Sequence, residues 1–209
     1  MDMKYMSVEY LAALTASNAP APGGGSISAM AGAFGAALAS MVANLTVGRE
    51  KFAGVEAEMH DVIEKTGVIY REMLDDMQRD TSAFDLVMAA MKMPKNTDAE
   101  KQARSEKMQQ GYKAAIDVPF TVAQKAASIL PLVKIVIETG NKNAVTDGLV
   151  AGMMARTAVL GALYNVRINL ASVKDADYVA DMTRKCRELQ DYAEQTEREI
   201  RALAPELND

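Results

Sequence analysis

A run of side chains without a single charge, from Ser26 to Gly48, constrains this chain more than any other feature. It follows directly on Pro20-Ala21-Pro22-Gly23-Gly24-Gly25. Two prolines cannot continue a helix, three glycines reach backbone angles that other residues avoid, and the Ser26 hydroxyl suits the first free amides of a helix. A helix is therefore predicted to start here, with Ser26 as its cap. Ala29, Ala33 and Ala37 recur four residues apart, as do Gly32, Ala36 and Ser40, so neighbouring backbones can come close. The run also passes the length test for a membrane span. Against that, Ser26, Ser28, Ser40, Asn44 and Thr46 are spread through it, bulky residues are few, and no basic segment precedes it. We read it as a central helix covered on every side by others, and we expect no membrane partner.

The remaining composition narrows the chemistry. A chain of 209 residues can bury a sizeable core, and its net charge of -5 gives no basic stripe for nucleic acid. The one cysteine, Cys186, has no intramolecular disulfide partner and suits a reducing compartment, which leads us to expect a cytoplasmic protein. The one histidine, His60, stands between Met59 and Asp61 in a charged helical segment and reads as a surface residue. A single histidine removes Ser-His-Asp and Cys-His nucleophile systems and any multi-histidine zinc site, and no metal constellation is expected. Gly23-Gly24-Gly25 has neither the following lysine nor the preceding strand of a nucleotide loop.

Along the chain, Ser7 can cap a short helix through Val8, Tyr10, Leu11 and Leu14. After the central helix, Gly48-Arg49-Glu50-Lys51 makes a charged turn. A long helix then follows whose apolar seam is Val55, Met59, Val62, Thr66, Ile69, Met73, Met77, Asp80, Phe84, Val87 and Met91, spaced by three or four residues throughout. Asp80 is a carboxylate where that pattern asks for a hydrophobe. Such a residue is paired with a cation, neutralised by a raised pKa, or turned to a cleft; a rotated helix that leaves it wet is the remaining alternative.

Pro94 stops this helix, and Thr97-Asp98-Ala99-Glu100 is a capping box that starts the next. Lys92 and Lys95 beside the link are either solvated or placed to meet a carboxylate ligand. Pro119 is predicted to kink the chain or begin a new helix, Phe120 to Ile137 reads as another helix bent by Pro131, and Gly140 suits its C-terminal end. The polar loop Asn141 to Asp147 leads into a second very apolar helix, from Leu149 to Leu170, whose one charge before Arg167 is Arg156. Asn165 and Asn169 share a face of it, either pinning neighbouring helices or gripping a heteroaromatic ligand. Asp175 or Asp177 starts a last amphipathic helix that ends near Pro205. The predicted architecture is all-α: one domain over residues 1–209, a helical bundle with two long apolar central helices. Helices apolar on all sides further suggest that a second subunit covers part of the surface, making a homodimer.

The segments PAPGGGSISAMAGAFGAALASMVANLTVG, DTSAFDLVMAAMKMPK, GNKNAVTD and NVRINL, in this order, resemble the C-terminal part of the formiminotransferase-cyclodeaminase family. The resemblance covers most of the chain, from about Val8 to Tyr178. It implies an all-helical homodimer that binds a tetrahydrofolate derivative as substrate, with no tightly bound cofactor. The family's catalytic aspartate falls on Asp80. Its leucine-proline-lysine link falls on Met93, Pro94 and Lys95, its loop residues on Asn141 and Asp147, and its paired asparagines on Asn165 and Asn169. The resemblance thus assigns substrate binding to Lys95, Asn141, Asp147, Asn165 and Asn169, with Gly24, Gly25 and Ser26 at the helix entrance. The expected activity is formimidoyltetrahydrofolate cyclodeaminase, with methenyltetrahydrofolate cyclohydrolase as the alternative. A helical scaffold or folate-binding protein without chemistry is the reading from another class. No counterpart of the N-terminal formiminotransferase domain of bifunctional members is present, so transferase activity is not expected.

Overall fold

The computed structural model describes residues 2–207. Ser7 caps α1 (Val8–Thr15), its hydroxyl accepting the Tyr10 amide at 3.1 Å. Helix α2 (Gly24–Asn44) begins three residues ahead of the start that a Ser26 cap predicts, so Ser26 lies within its first turn; Gly23 holds the cap position without a side-chain bond. The expectation of a Ser26 cap is therefore corrected: its hydroxyl turns inward to another helix. A left-handed Gly48, at φ 73°, then breaks the chain away from α2, and a 3-10 turn (Glu50–Val55) leads into α3 (Glu56–Met91).

Helix α4 (Asp98–Thr139) starts on the predicted capping box, with Thr97 Oγ1 accepting the Glu100 amide and Glu100 Oε2 accepting the Thr97 amide. It then runs for 42 residues straight through Pro119 and Pro131. The predicted division at Pro119 does not occur. A proline within a helix costs roughly 3 kcal/mol, but Ile116, Pro119, Val122 and Ala123 are all buried around this one, and their burial offsets the missing hydrogen bond. A 3-10 turn (Lys142–Ala144) leads into α5 (Val145–Leu170), and Asp175 caps α6 (Ala176–Ala202) by accepting the Tyr178 amide.

Helices α2, α3, α4 and α5 form a four-helix bundle in which neighbours pack around the ring and α2 also meets α4 across it, and α6 lies over the seam between α4 and α5. The α2 and α5 backbones run antiparallel at close range: Gly161 meets Ser28, while Gly35 meets Ala151 and Ala155. A β-carbon on Gly35 would sit 3.1 Å from the Ala151 carbonyl oxygen and 3.2 Å from the Ala155 nitrogen, so glycine is what permits this approach. The main core joins Met73 and Met77 of α3 to Ile129, Leu130 and Val133 of α4 and Val159, Leu163 and Val166 of α5.

By length and composition, three helical stretches are apolar enough to cross a membrane: Gly24–Asn44, part of Asp98–Thr139, and Lys142–Leu170. Within the chain they pack against one another, yet the central pair is not covered all round as expected. Phe34 and Met41 on α2, Leu45 just past its end, and Val150, Met153, Tyr164 and Ile168 on α5 remain exposed, spaced as one stripe along each helix. Helix α2 is enclosed by α3, α4 and α5 on its other sides, so the stripe is the face of α2 that this chain leaves bare.

Candidate active site

A cavity of about 340 Å³ opens where the N-terminus of α2 meets the later turns of α3 and α5. Gly24 and Gly25 bring the amide end of α2 to it, Asp80, Thr81 and Phe84 come from α3, and Asn165, Ile168 and Asn169 from α5; Pro20, Ala21, Gly23 and Ala115 complete the wall. Of the four environments compatible with a carboxylate on the seam, Asp80 takes the cleft.

Its carboxyl group lies directly on the first turn of α2. A β-carbon on Gly25 would overlap it, and the Ser26 hydroxyl donates to Oδ2 at 3.0 Å. Asp80 therefore puts a carboxyl group at the positive end of α2, where its own cap residue supplies none. Burial nonetheless dominates and holds its pKa above the ordinary carboxylate value, against the opposing pull of Ser26.

Ser26 itself is 0% exposed and does not line the cavity. Its expected contact with a substrate is thus corrected to a contact with Asp80. The geometry carries a proton count. Ser26 Oγ is 3.0 Å from the Met77 carbonyl oxygen as well as 3.0 Å from Asp80 Oδ2, and it has one hydrogen to donate. When Asp80 is ionised, that hydrogen goes to the carboxylate. When Asp80 is protonated, the carboxyl group can donate to Ser26 Oγ and the serine hydrogen turns to Met77. Both protonation states of Asp80 are supported without moving a heavy atom, as a group that both takes and gives a proton requires.

Of the two roles left open from sequence, the structure shows helix pinning for Asn169, and it places both asparagines in the cavity wall. Asn165 Nδ2 donates to Gly161 O at 2.9 Å, and Asn169 Nδ2 donates to Asn165 O at 2.9 Å and to Ala115 O at 3.2 Å, which ties α5 to α4. With both amide nitrogens so held, the side-chain oxygens are left as acceptors at the cavity wall.

Three expected binding residues are not brought to this cavity. Lys95 is exposed in the link between α3 and α4 and lies outside the lining. Asn141 is buried at the opposite end of α2, its amide donating to Thr46 Oγ1 and its Nδ2 to Leu45 O, and Asp147 is in the first turn of α5. At 1.5 Å per residue, the length of α2 alone puts roughly 30 Å between that end and the glycine entrance. Within one chain, Asn141 holds the local turn, and neither Asn141 nor Asp147 lines the Asp80 cavity.

Sequence reasoning missed two residues. Asp76, one turn before Asp80, is 1% exposed and bonds Arg79 and, on α4, Lys125, each at 2.7 Å. Thr81 follows Asp80 into the cavity wall. The signal for Asp76 was a second acid beside the seam; Thr81 had none beyond its place next to Asp80.

The fold and the cavity together describe an all-helical protein with a candidate site built on one half-buried carboxylate at a glycine-rich helix entrance. The chain belongs to the formiminotransferase-cyclodeaminase family, whose model matches residues 7–188. A methenyltetrahydrofolate cyclohydrolase of Methylorubrum extorquens is 42% identical over 79% of this chain and 80% of its own length. The formimidoyltransferase-cyclodeaminase of Gallus gallus is 35% identical over 88% of this chain, which spans only 34% of that protein. A crystal structure of the formiminotetrahydrofolate cyclodeaminase of Thermotoga maritima superimposes with a TM-score of 0.88 at 26% identity, covering 99% of both chains.

Proposed function

We propose that this chain is an enzyme of folate one-carbon chemistry that makes or breaks the N5,N10 bridge of 5,10-methenyltetrahydrofolate, with Asp80 as its acid-base group. The observation that carries the proposal is the placement of Asp80: half-buried, raised in pKa, at a cavity, with a hydroxyl that serves both of its protonation states. The relative matched over 80% of its length is a cyclohydrolase, which makes hydrolysis the first reaction to assay. Formimidoyltetrahydrofolate cyclodeamination is the second reading, favoured by the superposition over 99% of both chains.

In the hydrolysis, water adds to the bridge carbon and gives one proton to the Asp80 carboxylate. The tetrahedral adduct then loses one carbon-nitrogen bond: Asp80 returns the proton to the departing nitrogen, and the hydroxyl proton of the adduct passes to solvent as the formyl carbonyl forms, which discharges the positive charge of the methenyl bridge. In the deamination, N10 attacks the formimidoyl carbon and passes its proton to Asp80, which hands it to the imino nitrogen. A second proton from solvent completes ammonia. Ring closure is intramolecular, so holding N5 and N10 in attacking geometry supplies much of the acceleration. The amide end of α2 at Gly24 and Gly25 suits a carbonyl or anionic group of the ligand, and the Asn165 and Asn169 oxygens suit the donors of the pterin.

The apolar stripe on α2 and α5 supports a homodimer. A two-fold axis across those helices reverses them end for end, so the Asn141 to Asp147 turn of one copy approaches the glycine entrance of the other. On this reading the binding set is completed between subunits, with Asn141 and Asp147 facing the second copy's cavity. The reading is tested by supplying one purified sample with methenyltetrahydrofolate and with 5-formimidoyltetrahydrofolate, following the methenyl absorbance and ammonia release. Turnover of neither substrate would remove the enzyme assignment.

A further inference from the structure

The apolar seam of α3 is covered by α2 only as far as Asp80. Met73 lies against Gly32 and Asp80 against Gly25, so the two helices pass each other in opposite directions. Helix α2 begins at Gly24, whereas α3 continues beyond Asp80 to Met91. Phe84 is the next seam residue, one turn on and about 6 Å further along the axis. No turn of α2 remains there to cover it. Phe84 lines the same cavity as Asp80 and is 40% exposed, while Asp80 is half-buried. The end of a neighbouring helix thus leaves a phenylalanine bare on the solvent side of the acid-base group. Helix α5 supplies another wall, where the side-chain oxygens of Asn165 and Asn169 are the polar groups.

Resting on the folate reading above, we infer that Phe84 is the stacking platform for the p-aminobenzoyl ring of the substrate, and so sets the direction in which the folate lies. The bridge carbon has to reach Asp80. From that carbon the molecule extends two ways. Through N5 it enters the pterin, whose edge carries hydrogen-bond donors that need the polar wall of α5 and the amide end of α2. Through N10 it enters the p-aminobenzoyl ring, whose flat faces are apolar and which leads on to the glutamate. Carboxylates are costly to bury, so the glutamate end points to solvent. The group one turn nearer solvent than the bridge carbon is then the benzoyl ring, and Phe84 is the aromatic side chain it meets there, stacked or edge to face. No bond is made or broken in this contact, and it is as strong in the substrate as in the transition state, so it acts on KM and not on kcat.

Phe84→Ala and Phe84→Tyr test this in the full chain, with p-aminobenzoylglutamate and a tetrahydropterin that lacks the p-aminobenzoyl group as competing fragments. Alanine is expected to raise KM about tenfold, the size of one aromatic stacking contact, and to hold kcat within about threefold. Inhibition by p-aminobenzoylglutamate should weaken by a similar factor, and inhibition by the bare pterin by less than about twofold. Tyrosine, which keeps the ring, should hold KM within about threefold of the parent's. An unchanged KM in Phe84→Ala overturns the assignment. So does a loss that falls on the bare pterin, or a parent that p-aminobenzoylglutamate does not inhibit. A fall in kcat shared by both variants marks Phe84 as packing, and altered sedimentation of Phe84→Ala marks it as a subunit contact; either overturns the assignment. In all of these the parent still turns over folate. A parent that turns over neither folate removes the folate reading first, and this assignment with it.

Discussion

Asp80 of α3 lies so closely on Gly25 of α2 that a β-carbon at Gly25 would overlap its carboxyl group. Glycine here does not serve a left-handed turn, since Gly25 is inside a regular helix. What it supplies is space, and the space fixes where the acid sits. Gly25→Ala is therefore expected to push the carboxylate off the helix end and out of reach of Ser26. Overpacking of this kind costs about 1–3 kcal/mol of stability, whereas a reactive group displaced by about 1 Å loses on the order of a hundredfold in rate. Purified Gly25→Ala should thus remain folded by circular dichroism while turnover collapses; a variant with parental turnover would show that Asp80 need not hold this position.

Asp80→Asn separates the acid from its shape. Removing a general acid-base group costs about 10²- to 10⁴-fold in kcat. Its effect on stability has a definite sign. The folded pKa of Asp80 is raised by burial, so its contribution is fully present below the unfolded carboxylate value near 3.8 and is lost as pH rises through the higher folded value. The asparagine variant does not titrate there. Its melting temperature should change less than the parent's as pH rises across that window, and the gap between the two should turn in the variant's favour towards neutral pH. A parallel pair of melting curves would contradict the raised pKa.

Asp76, one turn earlier, is a different kind of acid. It is enclosed, but it holds Lys125 of α4 and Arg79 with short bonds, and Lys125 also reaches Glu72 at 3.1 Å. Asp76→Ala leaves Lys125 in a mostly buried place without its shorter partner. Breaking such a pair from one side costs roughly 3–5 kcal/mol, so denaturant melts should show a loss of that order. The isosteric Asp76→Asn keeps the packing and should lose less.

The contrast between these two acids shows what a sequence can disclose. Asp80 was legible because it interrupts a row of hydrophobes at helical spacing, a purely local irregularity. Asp76 sits beside that row, and what makes it buried and paired is Lys125, forty-nine residues further on, which only the packing of α3 on α4 brings close. Helix ends with side-chain caps, at Ser7, Thr97 and Asp175, were read correctly because their bonds span three or four residues. Ser26 obeyed the same preference in sequence but not in space, because a carboxylate from another helix had taken the capping place. Pro119 does not begin a new helix for a similar reason: a local penalty is outweighed by burial against helices far away in the chain. Asn141 and Asp147 stand about 30 Å along the bundle from Asp80, at the 1.5 Å rise of a helix, a separation that no motif spacing discloses.

That separation, set beside the bare stripe on α2 and α5, yields the last prediction. If two copies pair through the stripe with their helices reversed, each cavity draws Asp80 from one chain and Asp147 from the other. Asp80→Asn and Asp147→Asn should then each be inactive alone. Mixed under conditions that exchange subunits, they form heterodimers in which one cavity carries both substitutions and the other carries neither. With statistical exchange, half of the dimers are mixed and each has one intact cavity, so about a quarter of the parental activity should return. A site contained within one chain cannot recover this way, since every cavity would keep one lesion. Met153→Asp places a charge on the stripe away from the cavity wall, and should yield a monomer by sedimentation that has lost turnover together with its partner. Full activity in a monomeric Met153→Asp protein, or no recovery in the mixture, would return the whole site to a single chain and leave Asn141 as a brace of its own turn.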